Sequence, residues 1–399
     1  MSTAFPRILS LSATLLLLTG SAVAQHDPGG ITGGGMIGGS TSRPTTKPAT
    51  KPATKPATTT TTTRPRPRPT TPVVKRPTST TYTADYYYQQ GESLFTTQKY
   101  REALDQYLKA TELNPSMTAA LYRIGWIYND LEDYESAVDP LKRLATLQPN
   151  NAAAQFELGY AYLKLERYTE ALPLFQTTIR LKPDHAAAHY EIGWIYNEQK
   201  NYDVAIRSLK TSLSYRAEYP DAHNELGYAF RSLGRYPEAI SEYQAAIRLK
   251  PDMGLAHLGL GDVYYYNTKN CAEAVKSYKR GLELRPDNAT AQYNLGWCYN
   301  DLERYSEATE ELRKAVQLQP NYPEAHNELG YALYQLGRYQ LAVQQYQIAI
   351  QQKTDYASAH YYLGMSFVGL RNRPAALQQY RILQRIDNDR ATKLFNQIK

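Results

Sequence analysis

From residue 84 onward the chain repeats itself. Glycine returns at Gly91, Gly125, Gly159, Gly193, Gly227, Gly261, Gly296, Gly330 and Gly364, at intervals of 34 residues with one of 35. Alanine follows twelve residues behind at Ala103, Ala137, Ala171, Ala205, Ala239, Ala308, Ala342 and Ala376, and thirteen behind at Ala274. The one extra residue therefore falls between Gly261 and Ala274, where a turn is expected to absorb it. Proline closes most units, at Pro115, Pro149, Pro183, Pro251, Pro286 and Pro320. A period of this length argues against a single-core globule. Each unit is a small element that cannot bury its own apolar face, so successive units must stack into a quasi-one-dimensional array.

Within a unit, segments such as GWIYNDLEDYESA, GYAYLKLERYTEA and GYALYQLGRYQLA place apolar residues at helical spacing, break at a polar turn and resume. The pattern predicts nine two-helix hairpins over residues 84–390 and a capping helix over 391–399, where Leu394, Phe395 and Ile398 stand among polar residues. The fold class that follows is all-α, a right-handed α-solenoid with a concave inner surface. Glycine inside a helix costs about 1 kcal/mol relative to alanine, so nine recurrences need a reason. Close approach supplies one, with Gly on the first helix and Ala on the second leaving no bulk where the two cross. Two cysteines in 399 residues cannot provide a disulfide framework, while 36 tyrosines supply apolar area with a polar tip.

The residues before the array have a different character. Residues 1–24 carry Arg7, an apolar run from Ile8 to Leu18 and the small-residue pattern Ala22-Val23-Ala24, the layout of a signal peptide cleaved before Gln25. That run is shorter than the roughly 20 residues that span a bilayer, and no later stretch is apolar enough for a membrane helix. The expected product is exported, to the periplasm, cell surface or extracellular space. Residues 25–83 contain Lys-Pro-Ala-Thr three times, a run of six Thr and Arg-Pro three times, and are expected to form a disordered Thr/Pro/Lys-rich linker. They hold nine basic residues against the single acid Asp27. The pI near 9.0 thus belongs to this arm, suited to an anionic envelope polymer, and gives no reason to expect specific nucleic-acid binding by the array.

At the repeated positions the chain resembles the tetratricopeptide-repeat family. The family signature of Leu-Gly, an aromatic, a later Tyr, Ala and a closing Pro is met in the fifth unit by Leu226, Gly227, Phe230, Tyr236, Ala239 and Pro251. The resemblance implies that first helices line a concave groove, faced by fixed positions around each glycine. Carried over, it places Tyr122, Tyr190 and Tyr293 three residues before the glycine, and Trp126, Tyr160, Trp194, Tyr228, Trp297 and Tyr331 one after it. Asn129, Asn197 and Asn300 stand four after. Residues four apart share a helix face, so Tyr122 with Trp126, Phe156 with Tyr160, Tyr190 with Trp194 and Tyr293 with Trp297 are expected side by side. Such a stripe implies a protein or extended peptide partner, held by apolar area and oriented by the Asn amides. The structural alternative is that the aromatics pack on each other across units. Some members hold a terminal carboxylate with Lys and Asn; here Asn327 and Tyr331 occupy those positions in the eighth unit, which disfavours that clamp.

Units with GWIYN or GWCYN alternate with units carrying GYA, which fits a repetitive ligand or internal duplication. Histidines recur four residues before the glycine, at His189, His223, His257, His326 and His360. Zinc needs nitrogens converging at about 2.0–2.1 Å, whereas equivalent residues of successive hairpins are at least about 8–10 Å apart. The ladder is read as packing, and no metal or cofactor is expected. Cys271 and Cys298 are either a disulfide or two separate buried thiols. There is no phosphate loop, nucleophile elbow or isolated carboxylate pair, so the expected function is a non-enzymatic interaction scaffold. Two alternatives remain: a carbohydrate-binding envelope protein that stacks the same aromatics on polysaccharide, and a self-associating structural subunit.

Overall fold

The computed structural model describes residues Tyr82–Lys399. The expected signal peptide, and the basic linker up to residue 81, lie outside the described residues. The described residues form helices α1 (Ala84–Thr96), α2 (Tyr100–Leu113), α3 (Thr118–Asp130), α4 (Tyr134–Leu147), α5 (Ala152–Lys164) and α6 (Tyr168–Leu181). These are followed by α7 (Ala186–Glu198), α8 (Tyr202–Tyr215), α9 (Pro220–Ser232), α10 (Tyr236–Leu249), α11 (Gly254–Asp262), α12 (Cys271–Leu284) and α13 (Ala289–Asp301). The last are α14 (Tyr305–Leu318), α15 (Pro323–Gln335), α16 (Tyr339–Gln352), α17 (Ala357–Gly369), α18 (Arg373–Ile386) and α19 (Asn388–Ile398). Odd-numbered helices to α17 are the first helices of nine units, even-numbered helices the second, and α19 caps the last unit, beginning three residues before the sequence places it.

Each first helix ends in a Schellman-type turn that reverses the chain. In unit 2 the Asp133 N–H donates to the Tyr128 carbonyl at 2.9 Å while Glu132 adopts φ 59°; Arg167 to Tyr162 and Arg304 to Tyr299 repeat it. The left-handed residue is Gly only at Gly234 and Gly337. Elsewhere Gln98, Glu132, Glu166, Lys200, Lys269, Glu303 or Arg371 holds it.

The recurrent glycines make room for a large side chain on the second helix. A Cβ on Gly91 would stand 2.6 Å from the Tyr107 ring, and one on Gly261 would stand 2.7 Å from Tyr278. Leu141, Phe175, Leu209, Tyr243, Leu312 and Tyr346 fill the same place in other units, all essentially buried. The recurrent alanines are fully buried as well, but it is this later residue that closes over the glycine, rather than Ala alone as the sequence suggests. In unit 9, Leu394 of α19 takes the place.

The inserted residue is not in a turn. It is absorbed inside the first helix of unit 6, which changes from α11 to a π-helical segment, Val263–Asn267, with Thr268 N–H donating to the Val263 carbonyl. Widening one helical turn accommodates one residue without shifting the next hairpin out of register.

Candidate functional site

Successive first helices touch directly, as α3 does α5, α7 does α9, α13 does α15 and α15 does α17; successive second helices make no comparable contact. The first helices are therefore on the inside of the curve, and their outward-turned residues form its inner wall.

On that wall the aromatic that follows six of the nine glycines remains half-buried and packs edge-on against a tyrosine of the preceding unit. Trp126 meets Tyr100 at 5.6 Å between ring centroids, Tyr160 meets Tyr134 at 6.2 Å and Trp194 meets Tyr168 at 5.9 Å. Tyr228 meets Tyr202 at 6.0 Å and Tyr331 meets Tyr305 at 6.1 Å. In unit 7, Trp297 lies against Tyr265 at 5.0 Å, because Cys271 replaces the usual tyrosine. Edge-to-face pairs of this kind contribute about 0.5–1.5 kcal/mol beyond area burial, so the ladder is packing and exposed wall at once. Of the aromatics three residues before the glycine, Tyr122 is half-buried, while Tyr190 and Tyr293 lie over Tyr219 and Tyr322 in the turns that lead into the following unit. Phe156 and Tyr160 form the expected stacked pair, 6.4 Å apart.

The asparagines have a different task from the one their positions suggest. Asn129 Nδ2 donates to both the backbone carbonyl and Oε2 of Glu157, at 3.1 and 2.9 Å. Asn197 treats Glu225 identically at 3.1 and 3.0 Å, and Asn300 treats Glu328 at 3.1 and 3.1 Å. Each GWIYN or GWCYN unit is thus latched to the next, ELGY-containing unit, which gives the alternation a structural role. Asn224 and Asn327 add a second donor to Glu225 and Glu328. The amide donors expected to orient a partner are engaged inside the molecule.

The glutamates two residues before the glycine were not singled out by sequence reasoning, although the repeated E-L-G and E-I-G carry the signal. Burial pushes Glu225 and Glu328 up to about 7 against the pull of their asparagine donors. It also raises Glu157. Glu191 in unit 4 is pushed up to about 8 by burial, opposed by Lys164 and reinforced by Glu225 and Asp221.

The histidine ladder braces inter-unit turns. His189, His223, His257, His326 and His360 each pair Nε2 with the carbonyl six residues earlier, at 2.9–3.2 Å. Nδ1 of His223, His326 and His360 pairs with Glu242, Gln345 and Gln379 on the second helix. Among the described residues no group of three or more His, Cys, Asp or Glu is arranged to hold a metal. Cys271 and Cys298 are buried free thiols in contact, with the hydrogen bond to Cys271 and burial pushing the Cys298 thiol far up.

Family profiles agree with this architecture. The profile described as TPR repeat matches residues 227–267, 265–297, 298–337 and 330–370, and that described as Tetratricopeptide repeat matches 88–152 and 156–211. The chain belongs to the tetratricopeptide-repeat family, and as such it is a protein-interaction scaffold. Among solved structures it is similar to YrrB, described as a TPR protein with an unusual peptide-binding site, at 24% identity over 47% of this chain and 97% of that one, TM-score 0.45. MamA is 26% identical over 43% of this chain and 94% of its own, TM-score 0.38. The C-terminal part of a TPR repeat-containing protein from Cytophaga hutchinsonii is 18% identical over 61% and 99%, TM-score 0.48. No curated protein matches. No helix among the described residues is long and apolar enough to cross a membrane.

Proposed function

We propose that the chain is an exported, non-enzymatic scaffold whose inner wall holds an extended segment of a partner protein. The observation that carries the reading is the half-buried ladder Trp126, Tyr160, Trp194, Tyr228, Trp297 and Tyr331, repeated along one wall and braced from behind by the tyrosines of preceding units. Large, rigid aromatic faces fixed by packing lose little entropy on binding and carry most of the energy of such interfaces. With the Asn129, Asn197 and Asn300 amides latching neighbouring units, orientation of the partner falls to other groups on the wall. Export rests on the Arg7, Ile8–Leu18 and Ala22-Val23-Ala24 layout, and sequencing of the mature N-terminus should begin at Gln25.

Replacing Trp126, Trp194 and Trp297 together with Ala tests the groove. Partner capture from the native envelope fraction should be lost while helical circular dichroism persists; capture undiminished would sink the reading. Retention on insoluble envelope polysaccharide, with no protein captured, would move it to a glycan.

A further inference from the structure

Glu191 departs from the arrangement that satisfies its counterparts. Glu157, Glu225 and Glu328 each accept from an Asn of the preceding unit. Before Glu191 that position is Leu163, 5% exposed, and the residue adjoining Glu191 is Tyr190 where Glu225 and Glu328 have Asn. Glu191 is itself only 9% exposed and has no hydrogen-bond donor among the described residues. Of these four carboxylates, Glu191 is thus the one without an amide donor from the preceding unit.

The groups facing it come from three elements. On α5, the Lys164 ammonium lies over the Tyr160 ring, 5.1 Å from its centroid, and makes no ion pair. On α7, Tyr190 adjoins it. On α9, Asp221 and Glu225 add negative charge, and Tyr219 at the helix start is held up in pKa by both burial and Glu191. Three carboxylates are thus grouped beside three tyrosine rings on the wall that carries Trp194.

Resting on the groove reading above, we infer that the Glu191 carboxylate is the recognition point for one Lys or Arg side chain carried by the extended segment. With three carboxylates against the single ammonium of Lys164, the local charge favours a cation, and the tyrosine rings offer faces on which a cation is also stabilised. A Lys or Arg places its charge on a long apolar stem, which lets the head reach a recessed carboxylate while the backbone stays on the aromatic ladder. Because recognition needs the charged carboxylate, affinity rises with pH towards about 8 and levels off beyond it.

The test is selection of a random ten-residue displayed peptide library on the full chain and on E191Q. The wild type should enrich peptides with Lys or Arg at one fixed position, and E191Q should still select peptides but without that preference. The strongest wild-type peptide, synthesised, should bind E191Q at least tenfold more weakly. Its own Lys or Arg changed to Gln should lose a similar factor on the wild type, with the two losses not additive. Selected sequences resembling the Lys-Pro-Ala-Thr or Arg-Pro runs of residues 47–69 would make the chain's own arm the source of the cation; unrelated sequences would make it a separate protein. Wild-type peptides lacking any fixed Lys or Arg would overturn the inference and leave the groove reading standing. No peptide from either selection would overturn both.

Discussion

The energetics of single residues centre on the buried glutamates. The folded chain holds the Glu191 proton up to about pH 8, whereas an unfolded chain releases it near 4.5. Between those values the folded state binds more protons, so its stability falls as pH rises. Thermal melts should show the wild type losing more stability than E191Q between pH 4.5 and 8.5, and little difference between them at pH 4. Removing a latch acts differently: Asn300→Ala strips both donors from the carbonyl and Oε2 of a buried Glu328, at a cost of about 1–3 kcal/mol by denaturant unfolding. These latches were only half legible. Asn129, Asn197 and Asn300 stand out in the sequence, but a single helix face suggests they await a ligand; their acceptors lie in the next unit, a pairing visible only when two units are placed side by side.

Hairpins were legible almost throughout, since apolar spacing and the 34-residue period fix where helices start and stop. What escaped was local geometry. An extra residue between glycine and alanine reads as a longer turn, yet α11 takes it up as a π-helical segment, because the turn itself is constrained by its left-handed residue and Schellman bonds. Those left-handed positions carry strain where they are not glycine, so Glu132→Gly or Glu303→Gly should stabilise the chain by about 0.5–1 kcal/mol in denaturant melts. The opposite holds where glycine makes room for a neighbour. Gly261→Ala would push a methyl into the Tyr278 ring and should destabilise by about 1–3 kcal/mol, read from the same melts.

At the scale of the array, each unit depends on its neighbours, and the end of the stack needs a cover. Helix α19 provides it by seating Leu394 over Gly364 and burying Ala391 and Ile398. Deleting residues 388–399 should speed amide hydrogen exchange in α17 and α18 while units 1–5 keep their protection. The inner wall is a property of this same scale, since only stacking brings the aromatic of one unit against the tyrosine of the last. Its use by a partner is tested most directly by placing a photocrosslinking benzoylphenylalanine at position 228 on the inner wall or at position 314 on a second helix, in the native envelope extract. Position 228 should give a defined protein adduct and position 314 none. Adducts from 314 with none from 228 would contradict it.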